Sequence, residues 1–264
     1  MSEQGRSERG LYFHEFVRAI REQHPEMLET HRSFLESADV PTTEDPARFQ
    51  KPTEKPGCGG RAAWSLSRLA EIPGPRGEHK QFNVAASYRG LLMLKPPFDL
   101  VLYSDLIWQV QPATIIEFGA AHGGSALWLA DQCQNLSPSC EVYSFDRFID
   151  CVSPRARHPR LHFLQIDLRH LDSLDQELLQ RLPHPWIVID DAHVNVLELF
   201  GLLARFMASG DYYILEDWPI TASVRELAEA ASLAEQAGFM IDTRYTDAFG
   251  TNMTSAAHCW FRKS

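Results

Sequence analysis

The chain has 264 residues, enough for one large α/β domain with a full core and an N-terminal extension. Its hydrophobic content of 44% and charged content of 23% are ordinary for a globular protein, and a net charge of −10 excludes a general polyanion binder, which would need a basic surface. No apolar run approaches the ~20 residues of a membrane span, and five cysteines without a CxxC pair suit free thiols in a reducing cytoplasm, so neither nucleic acid nor membrane is expected as a partner.

The opening "MSEQGRSERG" lacks the apolar core of a signal peptide, so none is expected. Residues 11–36 carry apolar positions at helical spacing (Phe13, Phe16, Val17, Ile20, then Leu28, Phe34, Leu35), with Pro25 splitting them into two helices. From Val40 to about Gln81, prolines and glycines alternate over a stretch long enough for a lid, an oligomer arm or a linker.

Beyond Phe98 the pattern is regular. A helix is expected over Phe98–Val110, a first strand over Thr114–Phe118, and a helix from Ser125. Strands follow at Glu141–Phe145, Leu161–Ile166, Trp186–Ile189 and Tyr212–Leu215, with a helix at Val196–Met207. An amphipathic helix over Ala222–Ala237 stops at Gly238, and two strand-like runs, "FMIDTRY" and "HCWFRK", close the chain. Alternating strands and helices predict a doubly wound, Rossmann-like α/β sheet. A terminal antiparallel strand pair after five βα units suits a seven-stranded class I methyltransferase sheet better than a dehydrogenase sheet. Residues 1–81 form the expected extension and 82–264 the expected catalytic domain.

The first strand runs into a glycine loop, "EFGAAHGGS". Gly119 permits the tight turn, Gly123 and Gly124 let backbone approach a ligand, and Ser125 opens a helix whose free amides face it. Glu117 and Asp146, at the ends of the first two strands, are placed to accept hydrogen bonds from a cofactor's amino group or ribose, and Asp167 lies just past the third. The spacing E-x-G-x-x-x-G-G departs from the dinucleotide G-x-G-x-x-G, which argues against a nicotinamide cofactor.

Asp190–Asp191 and Glu216–Asp217 end two successive strands, so their carboxylates should meet. Such a cluster repels itself unless a cation sits in it, and oxygen ligands favour Mg²⁺, with Ca²⁺ or Mn²⁺ as alternatives. His193, three residues after Asp190, is suited to take a proton from a hydroxyl near neutral pH. Lys95 reads equally as a cofactor-side contact or a surface lysine. Arg147, Arg155, Arg157 and Arg160 read as a solvated basic loop. Trp218 is placed to touch substrate; Trp108, Trp128 and Trp186 are core candidates. Together these features point to metal-assisted methyl transfer from a nucleotide-like cofactor to a small-molecule hydroxyl.

The run "GLLMLKPPFDLVLYSDLIWQVQPATIIEFGAAHGGSALWLAD", with "VIDDAHVNVLELF" and "GDYYILEDW", resembles the cephalosporin hydroxylase-type family of methyltransferases from about Phe82 onward. The resemblance implies S-adenosyl-L-methionine as donor, Mg²⁺ held by residues matching Asp190, Glu216 and Asp217, and a base matching His193. Asp191 is a second acid beside Asp190, and the Asp-x-x-His spacing favours Asp190 as the ligand. Sugar O-methyltransferases of macrolide and glycolipid pathways are similar to this group, so the expected acceptor is a sugar or another vicinal diol of a secondary metabolite, and a homo-oligomer is expected. A catechol-type methyltransferase acting on an aromatic diol, a nicotinamide-dependent oxidoreductase and a non-catalytic binding protein on the same fold are the competing readings.

Overall fold

The computed structural model describes residues 48–54, 85–218, 222–249 and 254–264. Contacts divide the chain into Met1–Arg48 and Phe49–Ser264, and every described residue except Arg48 belongs to the second unit. The helices expected over residues 11–36, and the Pro/Gly-rich segment apart from 48–54, lie outside the described residues.

A short strand β1 (Phe49–Gln50) is followed by a hairpin of β2 (Ala85–Tyr88) and β3 (Leu91–Leu94). Its two-residue turn places Arg89 at φ 51° and Gly90 at φ 76°, the positive values such a turn needs. Helix α1 (Pro97–Val110) starts with proline in its first turn, where the missing N–H costs nothing. Then come β4 (Thr114–Phe118), α2 (Gly124–Leu136), β5 (Glu141–Asp146), β6 (Leu161–Gln165), α3 (Gln176–Arg181), β7 (Trp186–Asp190) and α4 (Val196–Leu203). The chain ends with β8 (Tyr212–Leu215), α5 (Val224–Gln236), β9 (Phe239–Asp242), α6 (Thr243–Thr246) and β10 (Trp260–Lys263). A capping box between Ser223 and Glu226 fixes the start of α5.

The large sheet has the order β1-β9-β10-β8-β7-β4-β5-β6. Strands β6, β5, β4, β7 and β8 run parallel, and β10 inserts antiparallel between β8 and β9. Without β1, the order and directions are those of the seven-stranded sheet with a terminal antiparallel pair expected from the sequence. The eighth strand, β1, pairs antiparallel with β9 at the edge, inside the segment assigned to the N-terminal extension. The run "FMIDTRY" is only half strand: Asp242 accepts a hydrogen bond from Arg244 N at 3.1 Å and starts the helical turn α6.

Strands β4, β7 and β8 are buried along their whole length, as parallel strands covered on both faces must be. Ile187, Ile189, Tyr212 and Ile214 face one core with Tyr103, Leu106 and Ile107 of α1 and Trp128 and Leu129 of α2. Trp186, Val188, Tyr213 and Leu215 face the other, with Leu199, Phe200 and Leu203 of α4 and Leu227 and Ala230 of α5. A single truncation such as Leu203→Ala, at 0% exposure, should cost about 2–5 kcal/mol. Among the described residues no helix is long and apolar enough to cross a membrane.

The strand order reverses between β4 and β7, since β4 leads to β5 on one side and the chain later returns to β7 on the other. Ligands of open α/β sheets bind at that reversal, beyond the carboxyl ends of the strands.

Candidate active site

A cavity of about 500 Å³ opens at that position. Its wall comes from the loop after β4 (Gly119, His122, Gly124, Ser125), the ends of β5 and β6 (Asp146, Asp167), and the ends of β7 and β8 (Asp191, His193, Asp217). Three residues on this wall, Ala121, His193 and Asp217, hold positive φ values of 46°, 57° and 49° without being glycine. Backbone strain of this kind persists where the surroundings fix it, and it clusters at functional sites.

The glycine loop is held from below by Gly119 N and Ala120 N, which donate to Phe145 O at 2.8 and 3.2 Å. Gly119 sits at φ +105°, and a Cβ there would lie 2.8 Å from the backbone oxygen of Asp191, so only glycine lets the two strand ends approach this closely. Gly123 serves another purpose than the expected one. It is not part of the cavity wall; at φ +80° it ends the loop, and a Cβ there would meet Ala156, Phe163 and Val152. Gly124 and Ser125 do reach the cavity, at the N-terminus of the 13-residue α2.

Asp146 accepts from Ala121 N and Phe148 N, both at 2.8 Å, and so shapes the loop while keeping a carboxylate on the wall. Asp167 is gripped by the Arg169 guanidinium, with Arg147 Nε at 3.3 Å, and hydrogen bonds from Arg169 hold its pKa below the usual range. Arg147, exposed as expected, also stands at the cavity rim. Glu117 departs from its expected place. It is fully buried beneath the wall, where it accepts from Ser144 Oγ at 2.5 Å, and its Oε1 has no hydrogen-bond partner among the described residues. Burial raises its pKa, with Lys95 opposing.

The acid clusters divide by strand parity, because successive side chains point to opposite faces. Asp190 continues the face of Trp186 and Val188; it is fully buried and accepts from Tyr213 Oη at 2.8 Å and Ala192 N at 3.3 Å. Burial pushes its carboxyl up to about 6. Glu216 continues the opposite face, that of Tyr212 and Ile214, and accepts from Lys95 Nζ and Tyr103 Oη. Burial raises it well above the usual carboxylate value, with Lys95 opposing. Neither Asp190 nor Glu216 lines the cavity; Asp191 and Asp217 do.

Asp191, His193 and Asp217 offer ligand atoms that all lie within 4.8 Å of one another. Of the expected ligands Asp190, Glu216 and Asp217, only Asp217 belongs to this group, whose other carboxylate is Asp191. Burial works against the Asp191 carboxylate, but the Lys95 ammonium and His193 outweigh it and lower its pKa. Burial, reinforced by Asp191, raises Asp217. The His193 ring has Nε2 3.5 Å from Asp191 Oδ1 and 3.0 Å from Glu216 O. The Asp191 contact raises its pKa, with burial opposing. A carbonyl only accepts, so Nε2 carries the proton and Nδ1 is the basic nitrogen.

Lys95 is neither a surface residue nor part of the cavity wall. At 1% exposure it donates to Glu216 and, at 3.3 Å, to Asp191 Oδ2. Its proline neighbours in "LKPPFD" hint at a fixed backbone, but burial of the amine has no sequence signal. Trp218 packs into the core rather than standing over the cavity, and Trp108 is 40% exposed. Cys133, Cys140 and Cys151 are free thiols.

The family model for rhamnosyl O-methyltransferase/CmcI proteins matches residues 80–264. The rhamnosyl O-methyltransferase of Mycobacterium bovis (strain BCG / Pasteur 1173P2) is 29% identical over 139 residues, covering 50% of this chain and 56% of the relative. That of Mycobacterium leprae (strain TN) is 27% identical over 136 residues, covering 50% and 59%. The chain spans about half the length of the curated relatives it matches. Among solved structures, CmcI with Mg and SAM is 29% identical with a TM-score of 0.61, over 82% of this chain and 91% of that one.

Proposed function

This chain belongs to the rhamnosyl O-methyltransferase/CmcI family, and on that premise we propose that it is a Mg²⁺-assisted O-methyltransferase moving a methyl group from S-adenosylmethionine to a sugar hydroxyl in secondary metabolism. The observation that carries this reading is one cavity holding both the glycine loop with Asp146 and the Asp191–His193–Asp217 cluster. The residues present fit both groups. The bare Cα of Gly119, the N-terminus of α2 and the Asp146 carboxylate make a cradle for a ribose-bearing cofactor. Two carboxylates with room for waters or substrate hydroxyls are the donor set that Mg²⁺ prefers.

When bound, the cofactor would supply an electrophilic methyl on its sulfonium, and the cation would stabilise negative charge developing on the acceptor oxygen. Asp191 and Asp217 are the ligands in this reading, in place of Asp190 and Glu216, whose oxygens are already engaged by Tyr213 and by Lys95 with Tyr103. His193, poised by Glu216 O on Nε2, takes the acceptor's proton at Nδ1. The cavity walls align acceptor and donor. In the solved relative, Mg and SAM are present together, which supports the pairing.

The test is methyl transfer from labelled S-adenosylmethionine to rhamnosyl acceptors, with Mg²⁺ and with EDTA. Asp191→Asn and Asp217→Asn should lose Mn²⁺ binding while cofactor affinity stays within a few-fold, and Asp190→Asn should keep both. Full turnover in EDTA would sink the cation assignment; Mn²⁺ binding lost in Asp190→Asn but kept in Asp191→Asn would return the ligand role to Asp190.

A further inference from the structure

We propose that Lys95 is a positioning residue for the cation site: its buried ammonium, bridging Glu216 and Asp191, holds Asp191 in the orientation that faces the cavity. The inference rests on the Asp191–Asp217 cation site proposed above. Lys95 is brought there by a rigid approach. It leaves β3 and is followed by Pro96, extended at φ −60°, ψ 142°, and by Pro97 in the first turn of α1. A residue before proline is itself confined to extended backbone, so the lysine stem has little freedom.

The helix that follows continues the same support. Asp99 and Tyr103 stand four and eight residues after Lys95. Tyr103 Oη takes one Glu216 oxygen and Lys95 Nζ takes the other. Asp99 accepts from Ser255 N at 3.0 Å and from Ser255 Oγ, and Ser255 O in turn accepts from Asp217 N at 3.1 Å. One short stretch, Lys95 to Tyr103, thereby ties down the segments bearing both proposed ligands. Lys95 is the member that touches a ligand directly, at 3.3 Å from Asp191 Oδ2, which leaves Oδ1 on the side of His193.

Charge alone and positioning predict opposite signs. Removing an ammonium 3.3 Å from a ligand oxygen makes the site more negative, so a bystander charge would leave the cation bound more tightly without it. A positioning residue gives weaker binding when lost, because Asp191 is then free to turn away; partners that orient ligands are worth ~10–100-fold in metal affinity.

The experiment uses the full chain and Mn²⁺ as probe, measured by electron paramagnetic resonance, with cofactor affinity by calorimetry and melting of the metal-free protein. Lys95→Met should weaken Mn²⁺ binding ~10–100-fold while cofactor affinity changes less than about threefold. Because Lys95→Met also leaves Glu216 buried without its partner, the double variant Lys95→Met/Glu216→Gln is made alongside. It should regain metal-free stability without regaining Mn²⁺ affinity. Wild-type or tighter Mn²⁺ binding in either variant overturns the positioning role, as does a parallel loss of cofactor affinity, which would mark general collapse of the cavity. A wild-type protein that takes up no Mn²⁺ fails the cation reading itself and this inference with it.

Discussion

Gly119→Ala puts one methyl group where the two central strand ends meet, and its cost can be worked from the geometry. Gly119 sits at φ +105°, and a Cβ there would stand 2.8 Å from Asp191 O, 3.0 Å from Asp191 C and 3.3 Å from Ala192 N. Forcing an L-residue into positive φ costs about 1–2 kcal/mol. The contacts are with backbone, which has no flexible end to swing aside, so overpacking adds about 1–3 kcal/mol more. Gly210 is the control: its φ is +96° but a Cβ there would meet nothing within 4 Å. Gly210→Ala should therefore lose only the backbone share. Chemical denaturation should show Gly119→Ala less stable than Gly210→Ala by about 1–3 kcal/mol. Binding separates them further, because the displaced segment in Gly119→Ala carries Asp191 and the loop itself lines the cavity, so Mn²⁺ and cofactor affinity should both fall. Equal stability losses in the two variants, with ligand binding intact in both, would refute the close-approach argument.

Asp190 titrates high in the folded protein, pushed to about 6 by burial, so the folded state holds its proton more tightly than the unfolded chain. Stability from that group is complete below its unfolded pKa and is lost as pH rises from about 4 to 6, by roughly 3 kcal/mol; metal-free Asp190→Asn should lack that part of the slope in denaturation series, and an unchanged slope counts against it. His193, raised by Asp191, should titrate above the ordinary histidine value in proton NMR of the metal-free protein, and a value at or below it would dismiss the contact. His193→Ala should keep Mn²⁺ and lose turnover by roughly 10²–10⁴-fold, recovered in part at high pH, and full activity would move the base elsewhere. Asp146→Ala should weaken cofactor binding by about 1–3 kcal/mol in calorimetry, and unchanged affinity removes it from the site.

The sheet, and the edge of it where ligands would collect, can be read from the amino-acid sequence. Thr114–Phe118 and Tyr212–Leu215 are strands with the bounds their apolar runs predict, since a strand buried on both faces has to be a continuous hydrophobic run ended by polar residues. The glycine loop, Asp146 and the paired acids were legible for the same local reason: each follows a strand directly. Strand parity does not say which acid of each pair faces the cavity, because Asp190 follows the face of Trp186 and Val188 whereas Glu216 follows the opposite face, that of Tyr212 and Ile214, and yet neither lines it. Other features arise only when residues far apart in the chain come together. Lys95 and Glu216 are 121 residues apart, and nothing local shows that a lysine after β3 will be buried against an acid after β8. Likewise, Gly123 is bare because Val152, Ala156 and Phe163 pack against it, and β1 is a strand because β9 offers it an edge. Periodicity records which way a side chain points along its own element; what it meets is settled when separate elements pack.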